Sequence, residues 1–188
     1  MFRAPGRVTD QAAAFIRNVA LTMLAVSLHA CSTSEAQPRI NTSLAAVMDS
    51  QGFQTIHLQR LPSYHDLIDA TINGVKGRFI VDTGASFSVI HTPRASAFQL
   101  NSSDALGTQS ATMPTGNINL TRYRLRSIAI SSRAYHLPEI TSADLGALAG
   151  VVKQTSGQEI DGIIGQDFLI RNQAIIDVGA RRIYLRAP

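Results

Sequence analysis

"RFIVDTGASFSVIHTP", residues 78–93, is the most informative stretch of this sequence. A short apolar run ends at Asp82, which Thr83 and Gly84 follow, and a second apolar run begins at Phe87. An ionised carboxylate at the end of a buried strand is costly unless hydrogen bonds or a neighbouring charge compensate it. The stretch therefore indicates either a carboxylate that caps backbone amides or one that performs chemistry.

The composition is that of a folded domain with a leader. The chain has 188 residues, of which 45% are hydrophobic and 16% charged, and its formal net charge is +4. Without residues 1–30 it keeps 14 basic and 12 acidic residues, with no basic block among them. A core of ordinary size is therefore expected, and nucleic acid is not expected as a partner.

Residues 1–30 are predicted to be an export signal. Basic residues precede the apolar segment "VALTMLAVSLHA", residues 19–30, which is too short for a spanning helix but suits a signal peptide. Cys31, the only cysteine, follows at once, and "LHAC" resembles a bacterial lipobox. The resemblance implies a lipid anchor on Cys31 and an outer-membrane lipoprotein that faces the periplasm. Residues 31–52 are small and polar and are expected to form a tether. Cleavage after "SEA", residues 34–36, is the alternative and would give a soluble periplasmic or secreted product.

Residues 53–188 are predicted to form one all-β domain. "LIDATING" and "VKGRFIVD" are strand-like runs joined at Asn73-Gly74, which is a strong hairpin signal. "ATMPTGNINLTRYRLRSIAIS" reads as two strands around a turn, and residues 134–141 as a further strand. One short helix is expected in "HTPRASAFQL", with Thr92 as its cap, and another over Leu44–Met48. Many short strands at this spacing indicate a barrel or a sandwich.

Two separated motifs resemble those of the retropepsin-like aspartic proteases, the single-lobe relatives of pepsin. They are "FIVDTGAS", residues 79–86, and "IDGIIGQDFL", residues 160–169. The resemblance implies a closed acid-protease barrel with one lobe per chain and one or two short helices. It implies these site residues: catalytic Asp82; active-site loop Thr83, Gly84, Ala85 and Ser86; supporting strand Ile163, Ile164 and Gly165; flap Met113, Pro114, Thr115, Gly116 and Asn117.

The family resemblance gives each loop residue a role. Gly84 would let the backbone turn sharply, Thr83 would bond across to a partner loop, and Ser86 could bond near the carboxylate. Gly165 would let the strand and the loop approach closely. Where retroviral members carry Arg-Asn after that glycine, this chain has Gln166-Asp167.

Catalysis of this kind needs two carboxylates that share one proton, because like charges about 3 Å apart cannot both ionise. The chain has one Asp-Thr-Gly. "IIDVGA", residues 175–180, lacks the hydroxyl residue and is predicted to be a two-residue hairpin turn, and Asp161 is expected to support a turn. A C2 homodimer would place Asp82 opposite its symmetry mate.

The sequence favours an aspartic endopeptidase that acts on peptides or proteins in the cell envelope. The alternative is a non-catalytic peptide-binding or assembly lipoprotein that keeps the fold. The histidines lack metal-ligand spacing and Ser86 lacks a nucleophile elbow, so no metal, cofactor or serine chemistry is expected. Residues 145–158 fit helix or loop and have no assigned role.

Overall fold

The computed structural model describes residues 43–113 and 116–186. Within these ranges the chain is mostly β-strand, and the all-β class with a few short helices is confirmed. The strands are β1 Phe53–His57, β2 Gln59–Arg60, β3 Asp66–Ile72, β4 Val75–Val81, β5 Val89–His91, β6 Ala105–Met113, β7 Gly116–Arg124, β8 Ile128–Ile130, β9 Arg133–Tyr135, β10 Glu139–Ala143, β11 Gly162–Ile164, β12 Ile175–Asp177 and β13 Arg182–Arg186. The α-helices are α1 Leu44–Ser50, α2 Gly146–Ser156 and α3 Gln166–Arg171.

The strands form two sheets. The larger has the order β6-β7-β10-β5-β11-β4-β3-β8-β9, with β2 paired to β3. Most pairs in it are antiparallel, but β11 runs parallel to β4, and β10 runs parallel to β5. The smaller sheet has the order β1-β13-β12 and joins the two ends of the described chain. β4, which leads into Asp82, therefore lies inside the larger sheet between β11 and β3.

The β3–β4 hairpin turns at Asn73-Gly74, as predicted. Asn73 has φ 48° and Gly74 has φ 85°, and the tightest hairpin turns require positive φ at both central positions. The Asn73 side chain also accepts the backbone N–H groups of Arg126 and Ser127 and donates to the carbonyl oxygen of Phe98. One turn residue thus fastens the hairpin to two other segments.

Helix α1 packs against the domain. The helix expected at Leu44–Met48 is present, and Ser43 caps it by accepting the N–H of Ala46. Met48 is buried against Phe53 and Tyr184. The folded unit therefore begins ahead of the tether boundary expected at residue 52, because α1 buries an apolar side chain there.

Three details of the predicted secondary structure are wrong. The helix expected after residue 91 is a 3₁₀ turn, Thr92–Arg94, without a side-chain cap, because the chain turns again to bury Phe98. Residues 134–141 contribute to two strands, β9 and β10, since Pro138 between them cannot donate to a ladder. The last hairpin has four loop residues rather than two, since Asp177 pairs with Arg182.

Two apolar clusters fill the domain. The larger includes Ile72, Phe79, Phe98, Ile164 and Phe168, all fully buried. The second lies around Ile80, Val89 and Ile163, and therefore beside the end of β4. In the part of the chain described here, no helix is long and apolar enough to cross a membrane.

Candidate active site

The Asp82 loop begins where β4 ends. The Asp82 N–H donates to the carbonyl oxygen of Ile164 at 3.0 Å, which continues the pairing of β4 with β11. The side chain turns back on its own loop, and Oδ1 accepts the N–H of Gly84 at 2.8 Å. Asp82 itself is half-buried, while Thr83 and Gly84 are exposed. The strand-terminal carboxylate is thus held in one orientation and keeps access to solvent.

Gly84 makes room for that carboxylate. A Cβ at this position would lie 3.2 Å from Asp82 Oδ1, closer than most Cβ contacts in proteins. Gly84 is not among the glycines with positive φ, so the sharp backbone turn expected of it is not the reason for a glycine. A Cβ would meet only the end of the Asp82 side chain, so its consequence would be to displace the candidate catalytic carboxylate from its bond to Gly84.

The residues expected to support the loop lie directly beside it. Ile163 pairs with Ile80 of β4 on one side and with Val89 of β5 on the other. A Cβ on Gly165 would lie 2.5 Å from the carbonyl carbon and oxygen of Phe87 and 2.9 Å from the Ala85 oxygen. Backbone on both sides thus leaves space only for glycine.

Gln166 completes the contact between β11 and the loop. Its backbone N–H donates to the carbonyl oxygen of Ala85 at 2.9 Å. Its side-chain Nε2 donates to the carbonyl oxygen of Thr83 at 2.6 Å. Two loop carbonyls on either side of Gly84 are therefore held by one residue at the start of α3.

Sequence reasoning missed the role of Ser88 in this arrangement. Ser88 is fully buried, and its Oγ donates to Asp167 Oδ1 at 2.7 Å and accepts the Gly165 N–H at 3.1 Å. The Ser88 N–H also donates to Asp167 Oδ1, at 2.8 Å. Asp167 and Ser88 thus join the loop to the start of α3. The sequence could have indicated this role, because Ser88 is the one polar residue between Phe87 and Ile90, and a buried hydroxyl needs hydrogen-bond partners.

The remaining loop residues have fewer contacts. Ser86 is exposed, and within the described residues neither its hydroxyl nor that of Thr83 forms a hydrogen bond. Phe87 follows with half of its surface exposed. The bond expected between Ser86 and the carboxylate is therefore absent from the single chain as described.

The predicted flap belongs to the β6–β7 hairpin, whose arms have nine residues each. Thr108 and Thr121 bond to each other across the arms at 2.9 Å, and Ser110 donates to Asn119 at 2.8 Å. Pro114 and Thr115 lie outside the described residues, as do the side chains of Met113 and Asn117, while Gly116 begins β7. The described part is thus a long hairpin whose two strands are joined by side-chain hydrogen bonds and which leads to the predicted flap tip.

A cavity of about 460 Å³ lies near the base of this hairpin. Its lining includes Phe87 of the loop, Leu106 and Leu120 of the hairpin, and Asp167 and Arg171 of α3. Asp82 is not part of the lining. The carboxylate therefore lies outside this cavity.

Other acidic residues near the motifs have structural contacts. Asp161 accepts the N–H of Arg78 at 2.9 Å and the Nε–H of Arg94 at 2.6 Å. Asp177 accepts the N–H of Ala180 at 2.8 Å inside the last hairpin. Across residues 43–113 and 116–186, no three His, Cys, Asp or Glu side chains cluster as metal ligands. Asp82 thus remains the candidate catalytic carboxylate.

Comparison with known families accounts for this geometry. A profile of the aspartyl protease family matches residues 68–168, more than half of the chain, from β3 to α3. The chain belongs to the aspartyl protease family. The match spans both the Asp82 loop and the β11 segment that contacts it. Among curated proteins, none is significantly similar to this aspartyl protease.

Solved structures share the fold at low identity. A retropepsin-like aspartic protease from Rickettsia conorii is similar with a TM-score of 0.52 and 20% identity, covering 70% of this chain and 98% of its own. The EIAV protease in complex with the inhibitor HBY-793 has a TM-score of 0.43 and 17% identity, covering 60% of this chain and 92% of its own. The first likeness shows that the fold is retropepsin-like.

Proposed function

We propose that this protein is an aspartic endopeptidase whose active site forms between two copies of the chain. The observation that carries the proposal is that a single Asp-Thr-Gly loop presents one oriented, partly exposed carboxylate. Gly84 and Ile164 fix the Asp82 loop, and Oδ1 is already engaged by Gly84. The second carboxylate that the chemistry needs would come from Asp82 of a symmetry mate.

In such a dimer the two Asp82 carboxyls share one proton, because both cannot be ionised at close range. The ionised carboxylate takes a proton from a water molecule, whose oxygen attacks the carbonyl carbon of the scissile peptide bond. The protonated carboxyl donates its proton to the carbonyl oxygen. When the C–N bond breaks, one carboxyl gives its proton to the leaving nitrogen. The other carboxylate takes a hydroxyl proton from the tetrahedral intermediate as this becomes the new carboxylic acid, so the dyad again holds one proton.

Asp82→Asn tests the chemistry. The change is nearly isosteric, and the Asn oxygen can still accept the Gly84 N–H, so the fold should be kept while cleavage of a peptide library falls to background. Asp144→Asn is the matched control, since Asp144 accepts a glycine N–H in the same way and lies outside the Asp82 loop. Cleavage by a pure Asp82→Asn preparation would contradict the proposal.

A shared site also makes activity depend on protein concentration. Specific activity should fall on dilution below the dimer dissociation constant, and a pepstatin-like inhibitor should raise the dimer fraction by mass action. Analytical ultracentrifugation alongside the assay checks this. A fully active monomer would overturn the dimeric mechanism.

We also propose that the chain is exported and anchored through a lipid on Cys31, which places the protease domain at the outer membrane, facing the periplasm. The support is the lipobox-like "LHAC" after the apolar segment 19–30. Cys31→Ser should move the protein out of the membrane fraction without changing catalysis. Intact-mass analysis that finds an N-terminus at Gln37 and no lipid would refute the anchor and leave the protease proposal standing.

A further inference from the structure

Helix α2 begins without a capping side chain on its first residues. Leu145, which precedes the helix, makes no side-chain hydrogen bond to it, and glycines occupy positions 146 and 150. Glycine is a poor helix former, and the first N–H groups of any helix lack acceptors within the helix. The start of α2 therefore depends on hydrogen-bond acceptors that lie outside the helix.

Two side chains supply these acceptors. The N–H of Leu145 donates to Nδ1 of His91 at 3.0 Å, and the N–H of Gly146 donates to Oδ1 of Asp144 at 2.8 Å. His91 is the last residue of β5, and its own N–H donates to the carbonyl oxygen of Asp161 at 2.8 Å. The side chain of His91 is only 16% exposed. His91 thus fastens the start of α2 to a strand inside the larger sheet.

The bond from Leu145 to His91 requires one protonation state of the ring. An imidazole nitrogen accepts a hydrogen bond only when it carries no proton, so the ring must be neutral with its proton on Nε2. A proton on Nδ1 would bring two N–H groups face to face. It would also place a positive charge at the start of a helix of 11 residues, where the helix dipole disfavours cations. A protonated Nδ1 and the hydrogen bond to Leu145 therefore exclude each other.

Asp144 can accept the proton that would be added to His91. The other charged groups in the cavity beside His91, about 380 Å³ in volume, form two ion pairs, Arg94–Asp161 at 2.6 Å and Lys153–Glu159 at 2.8 Å. Asp144 Oδ1 lies 3.8 Å from Nδ1, and its side chain is 79% exposed, so it is free to turn toward the ring. In turning it would give up the N–H of Gly146. One protonation event would thus remove both acceptors from the start of α2.

We propose that His91 is a pH-sensitive latch for the first turn of α2. Neutral His91 holds the Leu145 N–H and keeps the turn docked, whereas protonated His91 pairs with Asp144 and releases the turn. The released form binds one proton more than the docked form, so a fall in pH favours release. Histidine suits this role because its ordinary pKa, about 6.5, lies close to physiological pH. The latch gives residues 145–158 a role that is independent of the endopeptidase chemistry.

Hydrogen exchange of the full chain, followed by mass spectrometry and corrected for intrinsic exchange rates, tests the latch. Protection of peptides that cover residues 144–150 should fall about tenfold between about pH 7.5 and pH 5.5, the change expected for one histidine proton. Peptides from β3 and β4 should keep their protection over the same range. The comparison within one digest separates release of the turn from loss of the whole fold.

His91→Asn is the decisive variant, because its Oδ1 can take the place of Nδ1 as an acceptor and cannot be protonated in this range. Protection of residues 144–150 in His91→Asn should not change between the two pH values. His57→Asn, at an exposed histidine of β1, is the matched control and should behave like the wild type.

Three results would overturn the latch. The first is a wild type whose protection over residues 144–150 is the same at both pH values. The second is a His91→Asn protein that loses protection as the wild type does. The third is a loss that is equally large in β3 and β4, since the whole fold and not the turn would then respond to pH.

Discussion

Two loops of this molecule have the same local geometry and different surroundings. Asp82 directly follows β4 and Asp144 directly follows β10, and each accepts the N–H of a glycine two residues later at 2.8 Å. Side-chain capping of this kind is common for aspartate in turns. The hydrogen bond between Asp and Gly therefore does not distinguish a catalytic loop from a helix start.

The difference lies in what contacts each loop. The Asp82 loop is held by a backbone bond from β11 and by Gln166, and the partly buried Ser88–Asp167 bond joins it to α3. Asp144 leads into α2, its side chain is 79% exposed, and His91 is the neighbour that accepts the next N–H. The candidate catalytic carboxylate is therefore the one whose loop is bonded to neighbouring elements, whereas the same turn at Asp144 is a solvent-exposed cap.

The largest effect of a substitution on stability is expected at Gly165, the residue after β11 that lies closest to the backbone of the Asp82 loop. In Gly165→Ala the new Cβ would lie 2.5 Å from the Phe87 backbone, which cannot move without displacing the loop. We expect the free energy of unfolding to fall by about 3 kcal/mol or more, with loss of cleavage. Urea denaturation and the peptide assay measure both.

Gly146→Ala is the counterpart in the second loop. Its Cβ would approach only the exposed Asp144 side chain, at 3.0 Å, which can rotate away. The unfolding free energy should change by less than about 0.5 kcal/mol. If Gly165→Ala and Gly146→Ala lower the free energy of unfolding by the same amount, the two loops are held equally firmly, and the comparison between them is wrong.

A smaller loss of stability is expected when the Ser88 hydroxyl, which lies between the Asp82 loop and α3, is removed. Ser88→Ala removes the buried acceptor of the Gly165 N–H and a donor to the half-buried Asp167. The cost should be about 1–3 kcal/mol, because buried polar groups lose their partners. Ser86→Ala, two residues earlier and exposed, is the control and should unfold like the wild type. If both variants behave alike, the Ser88 contact does not stabilise the loop.

The smallest effect concerns the end of α2. The hydrogen bond and charge of Lys153 lower the pKa of Glu159 below its ordinary value of 4.5. The stabilisation by this pair is therefore present above the ordinary pKa and is lost as the pH falls through the lowered one. Lys153→Met should be slightly less stable than the wild type near neutral pH, and this difference in stability should disappear as the pH falls through the lowered pKa of Glu159. If the stability difference between Lys153→Met and the wild type grows as the pH falls, the Lys153–Glu159 pair is not its cause.

The sequence could predict the features that depend on local rules. Asn73-Gly74 predicted a tight turn because its backbone conformation follows from the two residues themselves. The Asp82 loop and the close approach of Gly165 were predicted from the resemblance of two motifs to a known family.

The sequence could not predict contacts between distant residues. Met48 packs on Tyr184, and Leu148 shares a cluster with Ala85 and Ile118. Neither pairing follows from spacing or periodicity, because each depends on how the sheets fold around the clusters. The bond from the Leu145 N–H to His91, which holds the start of α2 to β5, likewise joins residues that are distant in sequence.

Mixing two forms of the protein tests most directly whether Asp82 works across two chains. A fixed amount of wild type is titrated with excess Asp82→Asn protein and allowed to exchange subunits. If each site needs Asp82 from both copies, mixed dimers are inactive and total activity should fall steadily toward background, whereas excess Asp144→Asn should not lower it. Activity that stays constant as Asp82→Asn is added, while subunit exchange is verified by mass, would contradict the account.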